Sequence, residues 1–156
     1  KLFFSGVPGL LIAGSIALGC AMGTHAAGVA DEVSVTDPYV RAVPPVAETT
    51  AAFMQFLNAG TAEQFLVDAA TPAAGKVELH THIRDGEVMR MRRVPHIELP
   101  PNKTVSLEPG ADHIMLFDLS TELKPGDRIP LTLIFGDGSS KQISAEVRTV
   151  ESRMQH

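Results

Sequence analysis

The stretch Val77-Glu-Leu-His-Thr-His-Ile-Arg-Asp-Gly-Glu-Val-Met-Arg-Met-Arg-Arg93 decides how this chain is read. Two runs with strand character flank Asp85-Gly86, the short dipeptide signal for a tight β-hairpin. Symmetric pairing about that dipeptide sets His80 opposite Met91 and His82 opposite Met89. Residues two apart on a strand point the same way, and directly opposed residues share a face with Cβ atoms about 4.5–5.5 Å apart. The expected hairpin therefore carries two imidazoles and two thioethers on one face. A one-residue slip along a strand would scatter them, so the prediction depends on the turn.

The same grammar extends in both directions. Short apolar or alternating runs are expected as strands at 32–36, 38–43, 50–58, 64–70, 76–83, 88–93, 96–99, 104–108, 113–119, 128–136 and 141–149. Pro44-Pro45, Asn58-Ala59-Gly60, Pro101-Asn102, Pro109-Gly110, Pro125-Gly126 and Gly136-Asp137-Gly138 punctuate them. Many short strands at this spacing predict an all-β, antiparallel Greek-key sandwich or barrel, with one helical turn near Asp118–Glu122. A length of 156 residues accommodates one such domain, expected over 31–150 with a loose tail at 151–156.

Residues 1–30 contain a single charge, Lys1, and an apolar run that ends in small residues before Asp31-Glu32. This is the layout of a secretory signal, with cleavage expected after Ala30 or Ala26 and an exported, periplasmic domain as the product. Membrane association is expected only if that segment is retained or if Cys20, in Leu18-Gly19-Cys20, is lipidated. The net charge of −5 argues against nucleic acid, which demands a basic surplus. No phosphate-binding glycine loop or nucleophile elbow is present, so no enzyme is expected.

His113-Ile114-Met115 repeats the imidazole and thioether pairing on a later strand. Neutral imidazole and thioether donors form a soft set that favours Cu(I), whereas zinc would be given thiolates, imidazoles or carboxylates, and calcium oxygen ligands. The alternative for any one of these residues is packing: Met fills gaps and His is satisfied by a neighbour. Met54 reads as core and His96 as a surface residue, while Met89 reads as either packing or an auxiliary donor. Arg90, Arg92 and Arg93 read equally as a solvated face or as a docking patch for an acidic partner. The tail residues Met154 and His156 read as a frayed end.

His80, ten residues, Met91, twenty-one residues and then His113-x-Met115 resembles the spacing of the periplasmic copper chaperones called PCuAC. The surroundings Glu78-Leu-His-Thr, Val88-Met-Arg-Met-Arg, Leu107-Glu-Pro-Gly-Ala-Asp-His-Ile-Met-Leu and Leu123-Lys-Pro-Gly-Asp resemble that family too. The resemblance implies a cupredoxin-like fold and one Cu(I) per chain held by His80, Met91, His113 and Met115. It also implies handover to the CuA-bearing subunit of cytochrome c oxidase or to another copper chaperone. Position 82, where relatives often carry Met, is His here, which leaves His82 as a substitute donor, an entry-path ligand or a surface residue. Two other classes are weighed beside this one. An electron-transfer cupredoxin needs a Cys thiolate, and the sole Cys is residue 20; a metal-free interaction sandwich needs only the fold.

Overall fold

A computed structural model describes residues 28–149. Residues 1–27 of the expected signal segment, Cys20 and the tail beyond Thr149 lie outside these residues. The described chain is one hydrogen-bonded array of ten strands preceded by a helical turn. In chain order these are α1 (Val29–Glu32), β1 (Val33–Arg41), β2 (Thr49–Asn58), β3 (Gln64–Ala70), β4 (Ala74–Asp85), β5 (Val88–Arg93), β6 (Ile97–Leu99), β7 (Thr104–Leu107), β8 (His113–Leu119), β9 (Arg128–Phe135) and β10 (Ser140–Arg148). Neighbours run β5-β4-β8-β2-β1-β10-β9-β3-β6, with β7 on β2. All pairs are antiparallel except β1 with β10, which brings the first and last strands together in parallel.

The all-β antiparallel expectation matches this architecture, and two local expectations need correction. The runs 32–36 and 38–43 form the single strand β1, because Asp37 takes a positive φ of 50° and the register to β2 shifts between Thr36 and Tyr39. That bulge lets Pro38 sit in a strand without breaking it. The helical turn expected near Asp118–Glu122 is absent. Those residues finish β8 and then run without helix, with Asp118 left-handed at φ 54°.

Pleating divides each strand into a core side and an outer side. Val40, Ala52, Met54, Leu79, Ile114 and Leu116 point inward to join Phe56, Leu66, Leu131, Leu133 and Phe135 in one apolar core. At about 25 cal/mol per Å² of apolar area removed from water, this core is the main stabilising term. Asn58 is buried yet fully used. Its Nδ2 donates to the carbonyls of Ala62 and Leu99 (both 2.8 Å), and its Oδ1 accepts from the Gly60 amide (2.9 Å), fixing the turn expected there.

The folded unit begins upstream of Asp31. Val29 and Ala30 are buried in the core, and their amides donate to Asp137 Oδ2 and Ser139 Oγ (3.0 Å each).

Candidate metal centre

The hairpin forms, but with a different register from the one expected. Asp85 pairs with Val88, so the turn is Gly86-Glu87 rather than Asp85-Gly86. His82 consequently opposes Met91, His80 opposes Arg93, and Met89 opposes Arg84. The physical reason lies in Gly86, whose φ is +65° while Glu87 is not left-handed. That is the pattern of a type II′ turn, which asks only its first central residue to take a positive φ. Glycine fills that position without the steric penalty Asp85 would meet there. Moving the turn centre by one residue displaces every partner by two, so His80, His82, Met89 and Met91 still share a face.

That face is the outer one, and it continues across the sheet. Glu78 opposes Met115, His80 opposes His113, Met115 opposes Ala51 and Tyr39 opposes Phe53. Because Ile114 and Leu116 take the core side of β8, His113 and Met115 are forced outward. They are covered all the same: His113 is 2% exposed and Met115 9%, packed with Ala51 and Phe53. Met91, on the edge strand β5, is 56% exposed.

His82, Met91, His113 and Met115 line one cavity of about 320 Å³, together with Arg41, Thr49, Phe53, Pro109 and Gly110. The imidazoles of His82 and His113 stand 5.0 Å apart, centre to centre. His80 sits beside this cavity rather than in its wall, with its ring 5.9 Å from that of His113. Met89 is exposed and does not line the cavity.

Hydrogen bonds set the tautomers. A carbonyl only accepts, so the Ala111 oxygen takes Nδ1–H from His113 (2.9 Å) and from His82 (3.2 Å), and in the neutral form of each ring Nε2 carries the lone pair. An ionised carboxylate likewise only accepts, so His80 donates Nε2–H to Glu78 Oε2 at 2.8 Å. In the neutral ring Nδ1 is then the lone pair, and that atom is buried and without a hydrogen-bond partner. A carboxylate behind an imidazole is the arrangement that fixes a metal-binding histidine. The same bond holds the Glu78 carboxyl below the ordinary range, and burial holds the His113 imidazole below the ordinary histidine value, so it stays neutral.

Among the described residues, no three His, Cys, Asp or Glu side chains gather to hold a metal by themselves. A cage here needs the thioethers. Residues that the sequence reading did not single out are Phe53 and Arg41, which wall the cavity, and Glu78 as the anchor of His80. Strand parity alone would have placed Glu78 on the face of His80.

These features define a class: a cupredoxin-like β-sandwich carrying a soft-donor cluster on its outer face. The family described as LpqE-like, a lipoprotein family, matches residues 33–147, and the chain belongs to it. Lxx21020 of Leifsonia xyli subsp. xyli, named as a lipoprotein, is 33% identical over 120 residues, covering 76% of this chain and 71% of that protein. The Cu(I) form of DR1885 from Deinococcus radiodurans is 34% identical with a TM-score of 0.63, covering 82% of this chain and 83% of that one. The copper-bound PCuAC domain of PmoF2 shares the fold, with a TM-score of 0.67 at 23% identity, over 81% of this chain and 97% of that domain.

Proposed function

We propose that this protein is an exported carrier of Cu(I), binding one ion per chain and passing it to a copper-accepting protein, a CuA-type subunit or another chaperone. Met91, His113 through Nε2, Met115 and His80 through its unpartnered Nδ1 hold the cargo. His82 lines the mouth of the cavity as an entry ligand, with Met89 an auxiliary thioether further out.

The observation that carries this reading is the convergence of His113, Met115, His82 and Met91, from three strands and residues 82–115, on a single cavity. Imidazoles and thioethers ligate in their neutral form, so Cu(I) binding needs no thiol deprotonation, and thioethers hold the ion more loosely than thiolates. Exposure of Met91 at the sheet edge suits release, since one ligand can be exchanged before the buried pair lets go. The family's lipoprotein description supports export.

X-ray absorption of the Cu(I)-loaded protein tests the assignment. Expected is one copper per chain with about four sulfur and nitrogen neighbours, and loss of binding in the double variant His113→Ala, Met115→Ala. A first shell dominated by oxygen, or undiminished binding in that variant, overturns it.

A further inference from the structure

The cavity has a second wall that copper ligation leaves unexplained. Arg41, which also lines the cavity, is the last residue of β1 and lies on the outer face because Val40 before it enters the core. Its guanidinium carbon lies 5.5 Å from the centre of the Phe53 ring, and that ring lies 6.4 Å from the ring of His113. Among the described residues Arg41 makes no salt bridge, and its buried Nε has no hydrogen-bond partner.

Two facts follow. Cu(I) held by neutral imidazoles and thioethers keeps its full positive charge, and Arg41 adds another in the same half-enclosed space. The space is also much larger than an ion: about 320 Å³, where a single water in the liquid takes about 30 Å³. A cationic cavity with spare volume beside a soft metal calls for an anionic group with a soft donor atom. Among protein side chains that group is a thiolate.

Building on the copper-carrier reading, we propose that Arg41 forms a thiolate subsite, which receives a cysteine side chain of the copper-accepting partner. Arg41 is a positioning residue in this scheme. A guanidinium lowers the pKa of a neighbouring thiol, so the incoming cysteine releases its proton to solvent and attacks as thiolate. A Cu–S bond to that thiolate forms, the bond to the exposed Met91 thioether breaks, and copper remains Cu(I) throughout. The charge on the copper and its ligands falls by one, relieving its repulsion with Arg41. Transfer is thereby favoured toward acceptors that offer thiolates over those that offer only thioethers.

Stopped-flow transfer from the Cu(I)-loaded full chain tests this with two probes, N-acetylcysteine methyl ester and N-acetylmethionine methyl ester. In the wild type the thiol probe should remove copper faster, with a rate rising as it ionises. Arg41→Gln should reduce the ratio of thiol to thioether rates about tenfold, and Arg41→Lys, which keeps the charge, should restore most of it. An unchanged ratio in Arg41→Gln overturns the proposal. So does equal slowing with both probes, which marks Arg41 as a packing residue only. A third arm exchanges the inert salt for sodium chloride at constant ionic strength; if chloride lowers the wild-type ratio to that of Arg41→Gln, the subsite belongs to a small inorganic anion and the partner reading falls. Loading of the wild type is measured first, so failure to bind Cu(I) at all counts against the carrier function and not against the subsite.

Discussion

His113 combines two features that usually oppose each other: it is buried, and as the proposed copper ligand it would keep a lone pair available. Burial solves both, because it disfavours the imidazolium and holds the ring's pKa below the ordinary 6.5, while Ala111 takes up Nδ1–H. The sign of the pH dependence follows. The contribution of His113 to folding is fully present above the unfolded pKa and is lost as pH falls from there through the lower folded value, because the unfolded chain takes the proton first. The melting temperature of the copper-free protein should therefore fall more steeply between pH 6.5 and pH 5 in the wild type than in His113→Gln. Scanning calorimetry across that range checks it; parallel pH profiles would contradict it. The cluster of imidazoles and thioethers on one face was legible in the sequence because His and Met alternate along the strands. The tautomers were not, because the Glu78 and Ala111 partners are fixed by packing between strands. Met91 and Met115 illustrate the same limit. Similar in sequence, they differ in exposure, 56% against 9%, so Met91→Ala should change stability by no more than about 0.5 kcal/mol, whereas Met115→Ala should cost about 2–3 kcal/mol. Urea denaturation of the two copper-free variants distinguishes them.

At the scale of elements, the hairpin is the decisive case. Asp-Gly between strand-like runs announced a tight turn correctly, and strand parity placed the four donors on one face. The register was missed because a dipeptide signal does not say which of its residues takes the positive φ. Gly86 takes it, with open space where a side chain would stand, so Gly86→Ala meets no clash and suffers only the left-handed backbone penalty, about 1–2 kcal/mol. The ion pair between Arg90 and Asp85 at 3.4 Å is exposed on both sides and offsets little of that. Equilibrium unfolding should show this loss, with weaker Cu(I) binding in competition assays because Met91 hangs on the same turn. The helical turn α1 gives the complementary lesson. Export-signal rules act on sequence, so they offer cleavage after Ala26 and after Ala30 alike, whereas only the first keeps Val29 and Ala30, which are buried in the core. A chain starting at Asp31 loses both residues and the bonds to Asp137 and Ser139, a deficit of about 2–4 kcal/mol against one starting at Gly28. Chemical denaturation of the two chains, and the intact mass of the protein purified from its host, give the outcome.

Across the whole molecule, the site is held by strands of very different mechanical standing. β8, which carries His113 and Met115, lies between β4 and β2 inside the sheet, whereas β5, which carries Met91, is an edge strand attached only to β4 and exposed at every residue. An element with little burial and one ladder of hydrogen bonds opens more readily than the core beneath it. A copper ion bound to Met91, His113 and Met115 would tie that edge to the interior. Loading should therefore slow amide hydrogen exchange in Val88–Arg93 at least tenfold by suppressing local opening of the edge, whereas β9 and β10, away from the site, should slow only as far as global unfolding does. Global stability should also rise by mass action, about 2.7 kcal/mol when free Cu(I) is a hundredfold above its dissociation constant. The two readouts separate in Met91→Ala: the interior donors still bind and raise the melting temperature, but the edge strand is no longer tied and its protection should vanish. If β5 exchanges at the same rate with and without copper in the wild type, Met91 is not a ligand in solution. The ion would then sit wholly on β4 and β8, with His82 closing the cavity in its place.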